Sequence, residues 1–143
     1  MIQIRNCSPD DFDGVVTLLR QLWPGKPLEL DALRSTFDRA LASDRQIYIC
    51  AASEKEVVGF GSLSTKNNLW SPGPVGYVDE MVVDGAHQGR GIGTKILNHL
   101  VSCARERGCT RIELDSAFHR KNAHAFYEQQ GFESRAYLYS KLL

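Results

Sequence analysis

The sequence predicts an α/β domain on one mixed sheet, and three observations carry that prediction. Hydrophobic spacing switches along the chain between a period near two and one near 3.6, in the order β-α-α-β-β-β-α-β-α-β. The 143 residues, 43% hydrophobic and 24% charged, are the size of one ordinary domain with a full core. No repeat, linker or low-complexity stretch interrupts them, so 1–143 reads as a single domain.

Each element follows from local chemistry. "IQIRNC" alternates as a strand does, and "SPDDFDGVVTLLRQLW" then supplies Ser8 as N-cap, Pro9 at the first helical position and acids in the first turn. Val15, Val16, Leu18, Leu19 and Leu22 make one apolar face, and "PGKP" stops the helix. A second helix is expected over 28–43. "RQIYICAA", the polar turn "SEKE" and "VVGFGSLST" form a hairpin, and "NNLWSPGP" is a loop. "VGYVDEMVVD" is the next strand. "GIGTKILNHLVSCARERG" is a helix whose Ile92, Ile96, Leu97, Leu100, Val101 and Ala104 share a face, closed by Gly108. "TRIELDSA" reads as a strand, "NAHAFYEQQG" as a short helix closed by Gly131, and "FESRAYLYSKLL" as a terminal strand.

Composition removes several function classes. Seventeen basic and seventeen acidic side chains give formal net charge +0, so no basic field exists to drive nucleic-acid binding. No apolar run nears the roughly 20 residues that span a bilayer, and "MIQIRNCSPDD" is charged where a signal peptide would be apolar. A cytoplasmic protein is expected, with no membrane partner. Cys7, Cys50, Cys103 and Cys109 show no C-x-x-C pair and read as reduced structural thiols, with no metal site; His87, His99, His119 and His124 read as surface or packed residues.

The junction "VDEMVVDGAHQGRGIGTKIL" runs from an apolar strand through a glycine-rich turn straight into an amphipathic helix. Such a turn aims backbone amides at an anion, because the first helical turn leaves its N–H groups unpaired at the positive end of the helix dipole. A P-loop needs G-K-[ST], but the order here is Gly93-Thr94-Lys95. A dinucleotide fingerprint needs G-x-G-x-x-G, and Thr94 stands where the third glycine belongs, although Asp115 lies at a suitable distance for a ribose contact. The third pattern, Q-x-x-G-x-G, is filled by Gln88, Gly91 and Gly93. A plain tight turn would also use these glycines.

This third pattern resembles the acetyl-CoA loop of the GNAT N-acetyltransferase superfamily. The resemblance extends to "NAHAFYEQQGF", to the element order and to nearly the whole chain from Ile2 onward. It implies a single-domain GNAT fold, a mostly antiparallel mixed sheet flanked by about four helices. It also implies acetyl-CoA as co-substrate, its pyrophosphate on Gln88, Gly89, Arg90, Gly91, Ile92, Gly93 and Thr94. Its pantetheine arm would lie along the backbone of Met81, Val82 and Val83, and Asn122 would touch the CoA arm, unless it merely caps its helix.

Acyl transfer to an amine needs a deprotonated nucleophile, a stabilised carbonyl oxygen and a proton for the departing thiolate. Tyr127 matches the family's general acid, and Phe126 beside it is the better core candidate. Asp79 and Glu80 stand together in an otherwise apolar strand, an expensive place for two carboxylates unless they are wet, paired or used. Strand alternation sends them to opposite faces. Glu80, three residues before Val83, matches an acidic residue of many small-amine acetyltransferases and is the candidate base; Asp84 adds local attraction for an ammonium group. The C-terminal segment is similar to that of aminoalkylphosphonate acetyltransferases, and "VDEMVV" to the matching strand of glucosamine-phosphate and aminoglycoside acetyltransferases. A small primary amine is therefore the expected acceptor. Protein or peptide acetylation and a non-catalytic CoA-binding module are the alternatives, and a homodimer is left open. Trp23 and Trp70 are candidates for walls of the acceptor pocket, or simple packing aromatics.

Overall fold

Five strands form one sheet in the order β1-β2-β3-β4-β5: β1 (Ile2–Asn6), β2 (Gln46–Ser53), β3 (Glu56–Asn67), β4 (Pro74–Val83) and β5 (Arg111–Leu114). The first four pair antiparallel in chain order. The helices are α1 (Phe12–Leu22), α2 (Leu30–Leu41), α3 (Ile92–Glu106) and α4 (Lys121–Gln129). The computed structural model describes residues 1–54 and 56–143, which divide into two units, Met1–Glu113 and Leu114–Leu143. Lys55, in the expected polar turn, lies outside the described residues; its neighbour Glu54 turns with φ of 55°.

In the first unit, α1 starts as its sequence requires. Ser8 stands in extended backbone, a single 3-10 turn over Pro9–Asp11 follows, and α1 continues from Phe12. The Asp11 carboxylate reaches back to the Ser8 amide at 2.7 Å and takes a two-pronged pair from Arg5 of β1 at 2.8 and 2.9 Å. That pair ties the helix start to the strand before it and holds the Asp11 carboxyl below the usual range. The apolar face of α1, with Phe37 of α2, then packs against Cys7, Cys50, Phe60 and Val82. Aromatic rings continue the layer from helix to sheet, Phe12–Phe37 at 5.4 Å, Phe37–Tyr48 at 5.5 Å and Tyr48–Phe60 at 5.3 Å.

Helix α3 covers the opposite face of the same strands. It buries Ile92, Ile96, Leu97, Leu100 and Ala104 and comes so close to β3 that only glycine fits beneath it. A Cβ on Gly61 would lie 2.6 Å from Ile96 Cγ2, and one on Gly59 2.8 Å from Ile96 Cδ1. These two positions explain the unusual "GFG" inside a central strand.

Two expectations are corrected. Cys7 and Cys50, expected as reduced thiols, form a disulfide with Cα atoms 5.5 Å apart; Cys103 and Cys109 are free. The cause is the β1–β2 register: Arg5 stands opposite Cys50, and the Cys7 amide donates to the Tyr48 carbonyl, so a pair 43 residues apart in sequence meets diagonally across two strands. The expected terminal strand does not form either. Residues 132–143 have no strand hydrogen bonding, and Tyr137, Tyr139, Leu142 and Leu143 are exposed. Alternating aromatics supply a strand's pattern, but a strand exists only with a ladder partner, and the second unit contains only α4. Among the described residues, no helix is long and apolar enough to cross a membrane.

The glycine seam generates a stability test. Gly61→Ala should cost about 1–3 kcal/mol in denaturant unfolding, as overpacking does. Combining it with Ile96→Ala should cost less than the sum of the two single changes, because the second change removes the methyl that the first one strikes.

Candidate active site

The sheet, α3 and the turn between them bring most of the sequence-identified residues together. β4 runs to Val83, Asp84 opens a short 3-10 turn over Gly85–His87, and Gln88 to Gly91 lead into α3. Three contacts close this corner. Gln88 Nε2 donates to the Val83 carbonyl at 3.3 Å, Gln21 Nε2 of α1 donates to Asp84 Oδ1 at 2.8 Å, and the Gly85 amide donates to Gln21 Oε1 at 2.9 Å. The glutamine of Q-x-x-G-x-G thus folds the turn back on its own strand.

Gly89 and Gly91 take φ of 77° and 78°, the left-handed region that L residues other than glycine rarely adopt. Gly91 is the N-cap of α3, and Lys95 is the first residue to bond back to it, at 3.1 Å. The amides of Ile92, Gly93 and Thr94 therefore have no acceptor inside the helix. Nothing lies within 4 Å of where a Cβ would stand on Gly89 or Gly91, so the space over the turn is open. An anion with several phosphate oxygens fits such a cradle without a lysine.

Asp84, expected to add local attraction for an ammonium group, also has a structural role. Its carboxylate caps the Ala86 amide at 3.2 Å and lies 2.8 Å from His87 Nδ1, besides holding Gln21. Gln21 and His87 hold its carboxyl below the usual carboxylate range, so the cap stays ionised.

Met81, Val82 and Val83 pair with Gly61, Phe60 and Gly59 of β3. The ladder continues as Leu63 opposite Val78, so Ser62 alone faces both Asp79 and Glu80. One extra residue on β4 makes a β-bulge, and it interrupts the strict alternation expected to send the two acids to opposite faces. Asp79 is exposed and Glu80 half-buried. Ser62, fully buried, accepts from the Glu80 amide at 2.9 Å and donates to Glu80 Oε1 at 2.5 Å. Burial pushes the Glu80 carboxyl up, Ser62 pulls it down and Asp79 pushes it up again, for a net rise. Tyr48, paired with Ser62 in the β2–β3 register, is pushed up to about 12 by burial and by Glu80 and Asp79, so its phenol stays neutral. Neither Ser62 nor Tyr48 was identified from sequence. The available signal was the hairpin register, which pairs "IYI" with "GSL".

Tyr127 and Asn122 belong to the second unit. Arg120 occupies the N-cap of α4 and Asn122 is exposed in the first turn, so Asn122 is not the cap. Tyr127 is 8% exposed and packs edge-on against Phe126 at 5.4 Å and Phe132 at 5.8 Å. Tyr127, not Phe126, is the buried member of the pair, which reverses the expectation. Burial pushes the Tyr127 phenol's pKa up, so it keeps its proton. Trp23 packs partly buried against the α1–α2 core, whereas Trp70 is 60% exposed with Arg111 stacked 5.3 Å from its ring. Cys7, Cys50 and Asp11 cluster closely, but the disulfide leaves no thiolate to give a metal and Arg5 occupies Asp11.

Comparison with known proteins places the chain in a family. The profile of the Acetyltransferase (GNAT) family matches residues 12–132. A probable glucosamine 6-phosphate N-acetyltransferase 2 of Oryza sativa subsp. japonica is 33% identical over 138 residues, covering 92% of this chain and 81% of that protein. An aminoalkylphosphonate N-acetyltransferase of Salmonella typhimurium is 29% identical, covering 99% and 91%. Among solved structures, a putative acetyltransferase from Agrobacterium tumefaciens superposes with a TM-score of 0.88 at 25% identity, over 99% of both chains.

Proposed function

This chain belongs to the GNAT acetyltransferase family, and from that premise we propose that it moves an acetyl group from acetyl-CoA to the primary amine of a small molecule. The observation that carries the reading is the open glycine turn that joins β4 to α3 a few residues beyond a half-buried carboxylate. The acetyl-bearing ligand suits these residues: a pyrophosphate needs amides and room, and Gly89, Gly91 and the first turn of α3 supply both. The backbone of Met81, Val82 and Val83 would hold its arm. β5, at four residues, is too short to pair along the ten residues of β4. Asn122 is retained as a contact to that arm on the strength of the family motif.

The acyl donor supplies a thioester whose carbon is the electrophile. Glu80 takes the proton of the incoming ammonium, directly or through water, so that a free amine attacks. A carboxyl raised by burial is a better base near neutral pH than an ordinary one. Tyr127, protonated because it is buried, gives its proton to the departing sulfur, and the phenol is restored by the second proton that the attacking nitrogen sheds on becoming the amide. The relatives named above act, by their names, on small amines, which favours a small acceptor over a peptide.

Incubation with acetyl-CoA and an amine panel, with thiol release followed, tests the reading. Release dependent on a small amine is expected; acetylation confined to peptides, or acetyl-CoA binding with no turnover on any amine, would overturn it. Gly91→Asp should abolish CoA binding while Gly91→Asn, which tolerates the same left-handed backbone without charge, should weaken it far less. Equal losses in the two would show that conformation alone matters there. Tyr127→Phe should lower turnover by roughly 10²–10⁴ with little change in CoA affinity; near-normal turnover would reduce Tyr127 to packing.

A further inference from the structure

The least expected feature beside the base is a polar side chain fully buried in the middle of the sheet. Ser62 sits in β3 between Gly61 and Leu63, with no exposed surface, at the single position where β3 has one residue opposite two of β4. A buried hydroxyl costs stability unless both its donor and acceptor functions are met. Both are met by one residue. The Glu80 amide donates to Oγ at 2.9 Å and Oγ donates to Glu80 Oε1 at 2.5 Å.

We propose that Ser62 is a positioning residue for Glu80, its hydroxyl anchored by the Glu80 amide and holding the carboxylate in one orientation on the α1–α2 face of the sheet. The face follows from the register: Ser62 stands opposite Tyr48, and Tyr48 packs with Phe60 and Phe37 on the α1–α2 side, whereas Gly59 and Gly61 meet Ile96 of α3. The bulge is what makes the arrangement accessible. In a regular ladder a side chain stands beside its cross-strand partner and does not bond the partner strand's amide; the extra residue at Asp79–Glu80 turns the Glu80 N–H toward the hydroxyl. Besides burial and Ser62, Asp79 on β4 acts on the carboxylate and opposes its ionisation, while the carboxylate in turn opposes ionisation of the Tyr48 phenol on β2. From α1 and α2 the shared face receives apolar side chains, Phe12, Val15, Val16 and Phe37 among them. Ser62 therefore supplies the hydrogen bond that offsets burial and favours the ionised form.

This inference rests on the reading of Glu80 as base, and the experiment separates the two. Ser62→Ala and Glu80→Gln are compared with wild type and with the double variant, using the full chain, acetyl-CoA and the best amine of the panel. Loss of the hydroxyl should move the acid limb of the kcat/KM profile up by about one pH unit, since a hydrogen bond to a charged group is of that order. In the Glu80→Gln background the same change should move nothing. In parallel, carboxyl-labelled protein without ligand should show the Glu80 carbon resonance, assigned by its absence in Glu80→Gln, titrating higher in Ser62→Ala. That measurement does not need turnover. If Glu80→Gln leaves the pH profile unaltered while the Glu80 resonance shifts, the base assignment falls and the positioning role stands. If the resonance titrates identically with and without the Ser62 hydroxyl in a variant of normal thermal stability, Ser62 is a packing residue and the proposal is overturned. Should Ser62→Ala not fold, Ser62→Gly, which also removes the hydroxyl and adds no volume, carries the same titration; an unchanged midpoint there overturns the proposal too.

Discussion

How near α3 can come to β3 governs the first unit. With Gly59 and Gly61 beneath Ile96, the helix lies directly on the strand, and its N-terminus is thereby set at the end of β4. Any larger residue in β3 would lift α3 and carry the glycine turn away from the strand whose backbone it follows. The cradle is therefore built from two directions: the glycines of β3 set where the helix begins, and the glycines of the turn decide that its amides are uncovered. Gln21 and Gln88 then tie the corner to α1 and to β4. An anion bound at this corner would be recognised by backbone placement, with side chains acting as struts.

The opposite face of the sheet has a different logic. There α1 and α2 provide an apolar layer; besides the Asp11–Arg5 pair at its helix-start edge, a polar row runs through it from Tyr48 and Ser62 to Glu80. A carboxylate at the edge of that layer is short of water, which raises its proton affinity, and short of partners, which makes the single bond from Ser62 matter more than it would at the surface. The two faces meet at the bulge of β4. One extra residue there both displaces Asp79 toward solvent and turns Glu80 inward.

Much of this was legible in the residues. The helix start at Ser8-Pro9, the apolar face of α3, the hairpin and the glycine turn all follow from local spacing, and each of these elements appears where it was expected, within a few residues. The candidates brought together in the first unit were read from a contiguous run, 80–94. What escaped depends on partners far away in sequence. The Cys7–Cys50 bridge needed the β1–β2 register, the Ser62–Glu80 pair needed the bulge, and the use of Asp84 needed Gln21 from a helix 63 residues earlier. The tail 132–143 failed for a related reason: its pattern is that of a strand, and a pattern cannot say whether a ladder partner exists. Phe126 and Tyr127 changed places because adjacent helical positions are separated by the helix's phase, which a nine-residue element sets only weakly.

The bridge between Cys7 and Cys50 also encloses α1 and α2 in a covalent ring, since both helices lie between its two ends. Denaturation opens the sheet but not this ring, so the unfolded segment is confined to far fewer arrangements than a free chain of the same length. On the chain-entropy account a closed loop of this size favours the folded state by about 4 kcal/mol. The constraint falls on the layer that faces Glu80 and leaves α3 and the glycine turn outside it. Reducing agents should thus loosen one side of the sheet selectively, giving the two halves of the site unequal resistance to local opening.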